Sequence, residues 1–332
     1  MNAAVNQQWI AFCLHDTTSN YQRLLWDDAR KVAPRHNHSV TAYFADRNAD
    51  KQVEQIRSIL DLPANRKPTA IMVNAVRENM LLGVAKEAVS KGIAWVYLCR
   101  WTDTIEDLRR KFPRVPVFSV SPNQRNVGEI QGMQLRALLR PQDELVYIQG
   151  PSGTSTSQRR LSAARQVLSD RSDLKWTIFN SDWSHEGGYD TMKGWLEIFT
   201  RGQLPSFLVA AQNDDMAVGA RKALFDWASS GRAIDSDNLR FVGCDGSPAF
   251  GQRLVTEGQL TATVAIPSVS GPAMDELFSA LAVGRQPPAE VSLDATSFPS
   301  IEHLAKRAAR RAKPEAPAGD VMNPTSRRHG LK

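Results

Sequence analysis

Short apolar runs alternate with stretches of helical spacing along almost the whole chain. Ten runs read as strands, at 9–14, 39–45, 69–75, 93–99, 116–121, 144–150, 176–181, 207–212, 239–245 and 261–266. Between them apolar residues recur at steps of three and four over 21–33, 50–60, 77–90, 124–139, 155–168, 185–199 and 270–283, the period of one helix face. Continuous apolar strands separated by helices predict parallel sheets covered on both sides. Ten strands exceed one tidy sheet and divide into two sets of five around Pro122. The fold class expected is therefore α/β, two doubly wound parallel-sheet lobes joined by three crossovers. The crossings fall near Pro122, Pro267 and Pro288, which puts 1–121 with 268–288 in the first lobe and 122–267 with 289–300 in the second, followed by a basic, disordered tail over 301–332.

One stretch, FLVAAQNDDMAVGARKAL from Phe207 to Leu224, shows the strand-to-helix corner in compact form. Asn213, Asp214 and Asp215 crowd the turn. Carboxylates here would accept from the free N–H groups of the first helical turn and favour its positive end. With Asp214 able to fill the cap, the neutral amide of Asn213 is left over for a ligand.

In open α/β sheets, ligands sit past the carboxyl ends of the strands. Those tips read HDTTSNYQ (15–22), CRWTD (99–103), GPSGTSTSQRR (150–160), SDWSHEGG (181–188), QNDD (212–215) and CDGSP (244–248). Aromatic, Arg, Asn and Asp residues are frequent at these tips, and no metal cluster is among them. Carboxylates and guanidinium groups each hold two hydroxyls, an amide donates and accepts, and flat rings pack on the C–H faces of a sugar.

The net charge of +6 suggests nucleic acid until it is located. From Glu302 to Lys332 eight Lys or Arg stand against three acids, which leaves the rest of the chain close to neutral, so no nucleic-acid partner is expected. The three cysteines, Cys13, Cys99 and Cys244, lie in or at the ends of strands without ligand spacing and read as buried thiols. No run approaches the roughly 18 apolar residues of a membrane span. The segment from Met1 to Asn20 lacks the charged leader and cleavage site of a signal peptide, which sets a cytoplasmic location beside an exported one.

In series, QNDDMAVGA, VGCDGSP and GQLTATVA resemble the C-terminal lobe of type I periplasmic sugar-binding proteins, the bacterial solute-binding protein 2 family whose core LacI-type regulators share. YQRLLWDDARKVA, ADKQVEQIRSIL and VYLCR fit the N-terminal half, so the resemblance covers roughly 9–297. It implies a ligand set from both halves: the amide of Asn213, the carboxylate of Asp245, the guanidinium groups of Arg100 and Arg160, and aromatic surfaces from Tyr21 and Trp183. Three positions depart from the family's pattern: Cys99 where many members have Asp, Ile266 where a glutamine is usual, and Gln22 in place of a second aromatic residue. A less polar or modified sugar, or another polyol, is expected from these changes.

The resemblance further implies non-catalytic binding by hinge closure, no cofactor, a periplasmic or cell-envelope location, and an ABC-type permease as partner. An intracellular sugar sensor that signals to a regulator or kinase is the alternative. Two enzyme readings stand behind these. The loop GPSGTSTSQ precedes a helix and offers N–H groups to a phosphate, but lacks the GK[ST] ending of a nucleotide loop. His15, His185 and Asp245 are candidates for proton transfer, but no nucleophile elbow accompanies them.

Overall fold

The computed structural model describes residues 8–198, 204–229, 231–234 and 239–312. The first half runs β1 (Trp9–Leu14), α1 (Asn20–Val32), β2 (Ser39–Phe44), α2 (Ala49–Leu60), β3 (Ala70–Val73), α3 (Leu82–Ser90), β4 (Ala94–Leu98), α4 (Thr104–Lys111) and β5 (Val117–Pro122). The second continues through α5 (Gln124–Leu138), β6 (Glu144–Gln149), α6 (Ser155–Val167), β7 (Lys175–Asn180), α7 (His185–Glu197), β8 (Phe207–Ala211), α8 (Asp214–Ser229), β9 (Phe241–Asp245), α9 (Arg253–Thr256) and β10 (Ala262–Ala265). The chain then returns as α10 (Ser270–Val283) and β11 (Glu290–Leu293), and crosses once more to β12 (Thr296–Phe298) and α11 (Ile301–Ala312).

Two six-stranded sheets result, in the orders β11-β5-β4-β3-β1-β2 and β12-β10-β9-β8-β6-β7. All pairings are parallel except that of β12 with β10. Each sheet lies between two apolar layers because each central strand is apolar on both faces. In β1, Ile10, Phe12 and Leu14 enter one layer with Leu25 of α1 and Met274 of α10. Ala11 and Cys13 enter the other with Ile56 of α2 and Val84 of α3.

Two expectations about the chain's later part are corrected. The third crossing lies at Asp294 and Ala295 rather than near Pro288, because Glu290–Leu293 pairs in register with Ser119–Pro122 of the first sheet. Residues 301–312 are helical rather than disordered: Leu304 is fully buried among Leu135 and Tyr147 of the second lobe. Residues 313–332 of the expected tail lie outside the described residues. At the hinge, Asn123 Nδ2 donates to Asp294 Oδ1 at 2.9 Å and the Ala295 N–H to Asn126 Oδ1 at 2.9 Å, so two of the three crossings are tied together.

Helices α7 and α8 cross closely at Gly219, where an added Cβ would lie 1.9 Å from the carbonyl oxygen of His185. Backbone cannot give way there as a flexible side chain can. Gly219→Ala is expected to destabilise the protein by about 2 to 3 kcal/mol, the upper range for overpacking. A thermal unfolding midpoint equal to that of the unsubstituted chain would contradict this contact.

Candidate functional site

The carboxyl ends of both sheets face each other across a cavity of about 1110 Å3. All seven residues named from the sequence line it: Tyr21, Gln22 and Arg100 from the first lobe, and Arg160, Trp183, Asn213 and Asp245 from the second. Four cavity residues hold left-handed backbones without being glycine, Arg47 (φ 60°), Cys99 (φ 63°), Trp183 (φ 69°) and Asp245 (φ 92°). Such conformations cost free energy and persist where the surroundings impose them. Here they turn the chain sharply at or just past the ends of β2, β4, β7 and β9 at the cavity wall.

The corner after β8 divides its work differently from the sequence expectation. Asn213 is the cap of α8: its Oδ1 accepts from the Met216 N–H at 2.8 Å, while its Nδ2 donates to the Trp183 carbonyl at 2.9 Å. Neither carboxylate fills that role. Asp214 turns inward, accepting from the Gly246 N–H at 2.8 Å and the Thr263 hydroxyl at 2.6 Å, and burial pushes it up to about 7. Asp215 reaches out of its lobe to Asn20 at the start of α1. The amide therefore fixes the Trp183 backbone, and one N–H and one lone pair remain to it for a ligand.

Arg160 is buried and held by two neutral oxygens, with Nε donating to Gln124 Oε1 at 2.7 Å and Nη1 to the Gln212 carbonyl at 2.6 Å. Its guanidinium carbon stands 5.9 Å from the Trp183 ring centroid. That ring presses on Gly150, where an added Cβ would fall 2.0 Å from Trp183 Cζ2, so a side chain there would displace the indole. The Asp245 carboxyl group receives no hydrogen bond from the described residues, although the backbone carbonyl takes the Ile266 N–H at 3.0 Å. Burial raises its pKa well above the carboxylate range against the opposing field of Arg160, and the charges of Asp214 and Asp215 raise it further. A carboxylate so placed is set to accept hydroxyl groups.

From the first lobe, Arg100 Nη1 donates across the gap to Thr156 Oγ1 at 2.6 Å. Its Nε lies 3.4 Å from Glu78 Oε1, an ion pair without the alignment of a hydrogen bond. The Tyr21 hydroxyl donates to the Pro267 carbonyl at 3.2 Å and accepts from the Cys99 thiol at 3.7 Å. Its polar end is thus occupied at the hinge. Gln22 is partly engaged as well, since its Oε1 accepts from the His15 N–H at 3.2 Å.

Several lining residues were not singled out from the sequence. Asp16 closes the turn before α1, accepting from the Thr18 and Ser19 N–H groups at 2.8 and 2.7 Å, and its Oδ2 takes the Arg47 Nε at 2.8 Å. Arg47 then stands 3.6 Å from Asp182 of the second lobe. Asn74 Oδ1, Glu78 Oε1, Arg100 Nε and Ser181 Oγ are buried without hydrogen-bond partners, and all four residues line the cavity. An unsatisfied buried polar atom is costly and calls for an explanation. The first and last of these lie in or beside strand tips; Glu78 and Arg47 carried no distinguishing signal, being charged residues in ordinary loops.

The proton-transfer trio does not assemble. His15 and Asp245 line the cavity, but His185 does not. His15 Nε2 meets the Ala75 carbonyl at 2.7 Å, which makes that nitrogen the protonated one, and burial with the nearby Arg100 lowers its pKa to about 4. Residues 151–156, the end of the loop after β6 and the start of α6, do face the cavity, with Thr154 capping α6 through the Ser157 N–H. No group of three or more His, Cys, Asp or Glu is placed to hold a metal among the described residues, and no helix there is long and apolar enough to cross a membrane.

The family description "periplasmic binding protein domain" matches residues 10–283. Among curated proteins, the chain is 28% identical over 203 residues to the xylitol-binding protein of Mycolicibacterium smegmatis, covering 61% of this chain and 52% of that one. It is 22% identical over 262 residues to the ribose import binding protein of Escherichia coli, covering 79% and 80%. A putative rhizopine-binding protein of Rhizobium meliloti is 28% identical over 56% of each chain, so the chain spans about half the length of the first relatives it matches. The periplasmic binding component of the arabinose ABC transporter from Shewanella sp. ANA-3, bound to L-arabinofuranose, superposes with a TM-score of 0.74 at 20% identity, covering 92% and 96%. The Caulobacter myo-inositol binding protein gives 0.73 at 17% identity, covering 93% and 99%; at these identities the two structures establish the fold. A family match across most of the chain, on two lobes of this topology, makes the protein a member of the periplasmic binding protein domain family.

Proposed function

We propose that the chain binds one small carbohydrate or polyol in the interlobe cavity, without catalysis, by closure of the two lobes, as the solute-binding component of an ABC-type sugar importer in the cell envelope. The observation that carries this reading is the convergence of seven polar and aromatic residues from both lobes on one cavity, with the Asp245 carboxylate among them lacking a protein donor. The named ligands of the relatives, xylitol and ribose, are of the same hydroxyl-rich class. Three or four hydrogen bonds to charged groups, at about 1.5 to 3 kcal/mol each, less the cost of ordering, suffice for the roughly 8 kcal/mol of a micromolar complex. A binding role also agrees with the inert chemistry around the cavity: burial raises the Cys99 thiol to about 11, and His15 is neutral with its proton engaged.

Tyr21 and Cys99 meet at one wall of the cavity. Cys99 and the occupied Tyr21 hydroxyl stand where a fully hydroxylated sugar would use stronger anchors, which favours a ligand with a deoxy, methylated or otherwise less polar edge, while Ile266 is buried in the core and is not among the cavity-lining residues. A thermal-shift screen of sugars and polyols tests the reading: a ligand at a hundred times its dissociation constant adds about 2.7 kcal/mol of stability. Absence of any shift across pentoses, hexoses, furanosides, inositols and alditols would reject it. Unmodified ribose binding more tightly than every other member would reject the less polar edge.

Binding should also release protons. Hydroxyl donors favour the ionised form of Asp245, so its pKa is lower in the complex than in the free protein, where burial raises it. Between the two values the complex holds fewer protons, and affinity falls as pH drops through that window. Calorimetry in buffers of unequal ionisation enthalpy should show an enthalpy that varies with buffer in the sense of proton release; proton uptake would contradict the assignment.

A further inference from the structure

Helix α1 has an unusual beginning. Its N-cap, Ser19, makes no side-chain cap bond, and its first turn contains no acidic residue. The first N–H groups of a helix need acceptors and carry the positive end of its dipole. The acceptor here comes from the other lobe. Asp215, in the first turn of α8, takes the Asn20 N–H on Oδ2 at 3.3 Å and the Asn20 Nδ2 on Oδ1 at 2.6 Å.

One carboxylate is therefore shared by the N-termini of two helices in opposite lobes, 195 positions apart in sequence. Neither Asn20 nor Asp215 lines the cavity, so this contact is separate from the ligand's own. Arg47 adds a second span beside it, held by Asp16 of its own lobe at 2.8 Å and facing Asp182 of the other at 3.6 Å. That second pair is largely exposed and contributes little alone.

We propose that Asp215 is a closure latch, a carboxylate that caps α1 from across the cleft only when the lobes are shut, and so sets how long ligand is retained without touching it. Its purpose rests on the binding reading above. Opening separates Asp215 from Asn20 and returns both to water, so the closed state gains from the contact and the open state does not.

The test needs no ligand, which separates its failure from a failure of the binding reading. Spin labels attached through Glu54→Cys on α2 and Glu186→Cys on α7 report the interlobe distance; Cys13, Cys99 and Cys244 are buried and remain unlabelled. In the full chain, Asp215→Ala should move the distance distribution outward, with the ratio of closed to open molecules falling about tenfold, the size of one charge-assisted bond. Asn20→Ala should move it less and in the same direction. The double variant should match Asp215→Ala alone, because the two changes remove one contact. Unchanged distances in a folded Asp215→Ala protein, or effects that add in full, would overturn the proposal. Should Asp215→Ala fail to fold, Asn20→Ala decides: distances identical to the unsubstituted chain overturn it.

Discussion

Asp245→Asn is expected to weaken ligand binding about a hundredfold while leaving the unliganded protein folded. The carboxyl group has no protein donor to lose, and burial with two neighbouring carboxyl groups raises its pKa in the unliganded cavity, so ligand donors are what favour its ionised form. An amide cannot ionise when ligand binds, and it adapts readily to the left-handed backbone at this position, φ 92°. What disappears is the acceptor for two ligand hydroxyls, about 3 kcal/mol if each charged bond is worth about 1.5. Calorimetric titration beside a thermal unfolding curve checks both halves. Unchanged affinity would move the carboxylate anchor elsewhere in the cavity.

Arg160→Met should damage binding and stability together. The guanidinium group satisfies Gln124 Oε1 and the Gln212 carbonyl, both buried, and it supplies the positive field that restrains the pKa of Asp245. Methionine fills much of the volume but donates nothing. Two acceptors left unpaired cost about 2 to 3 kcal/mol in unfolding free energy, and Asp245 becomes harder to ionise, which should weaken binding by a further factor beyond the lost ligand contact. The contrast with Asp245→Asn is informative: one substitution acts on affinity alone, the other on both measurements. A variant as stable as the parent would show that Gln124 and Gln212 find other donors.

Much of this architecture is legible along the chain because parallel strands buried on both faces must be apolar throughout, as in WIAFCL of β1 and FLVAA of β8. The strands that escaped notice lack that property. EVSL of β11 and TSF of β12 are short and half exposed, and their pairing is dictated by β5 and β10. Helix α11 is rich in Ala and Arg and reads as a solvated tail, yet Leu304 anchors it to the second lobe.

At the cavity, positions past the strand ends marked the segments, the family resemblance picked residues within them, and the structure brings all seven side chains to one cavity. Their individual duties were not. Asn213, Asp214 and Asp215 are adjacent in sequence but face the helix start, the sheet interior and the opposite lobe in turn, and only the packed structure separates these directions. The left-handed turns at Cys99, Trp183 and Asp245 were equally hidden, since none is a glycine that would announce one.

A crystal structure of the complex with the compound that gives the largest thermal shift tests the central claim most directly. The account predicts ligand density between Asp245, Arg160 and Arg100, with the Trp183 ring against a C–H face and both lobes in contact. Density outside this gap, for example in the surface groove lined by Arg125 and Arg159 beside the hinge, would contradict it.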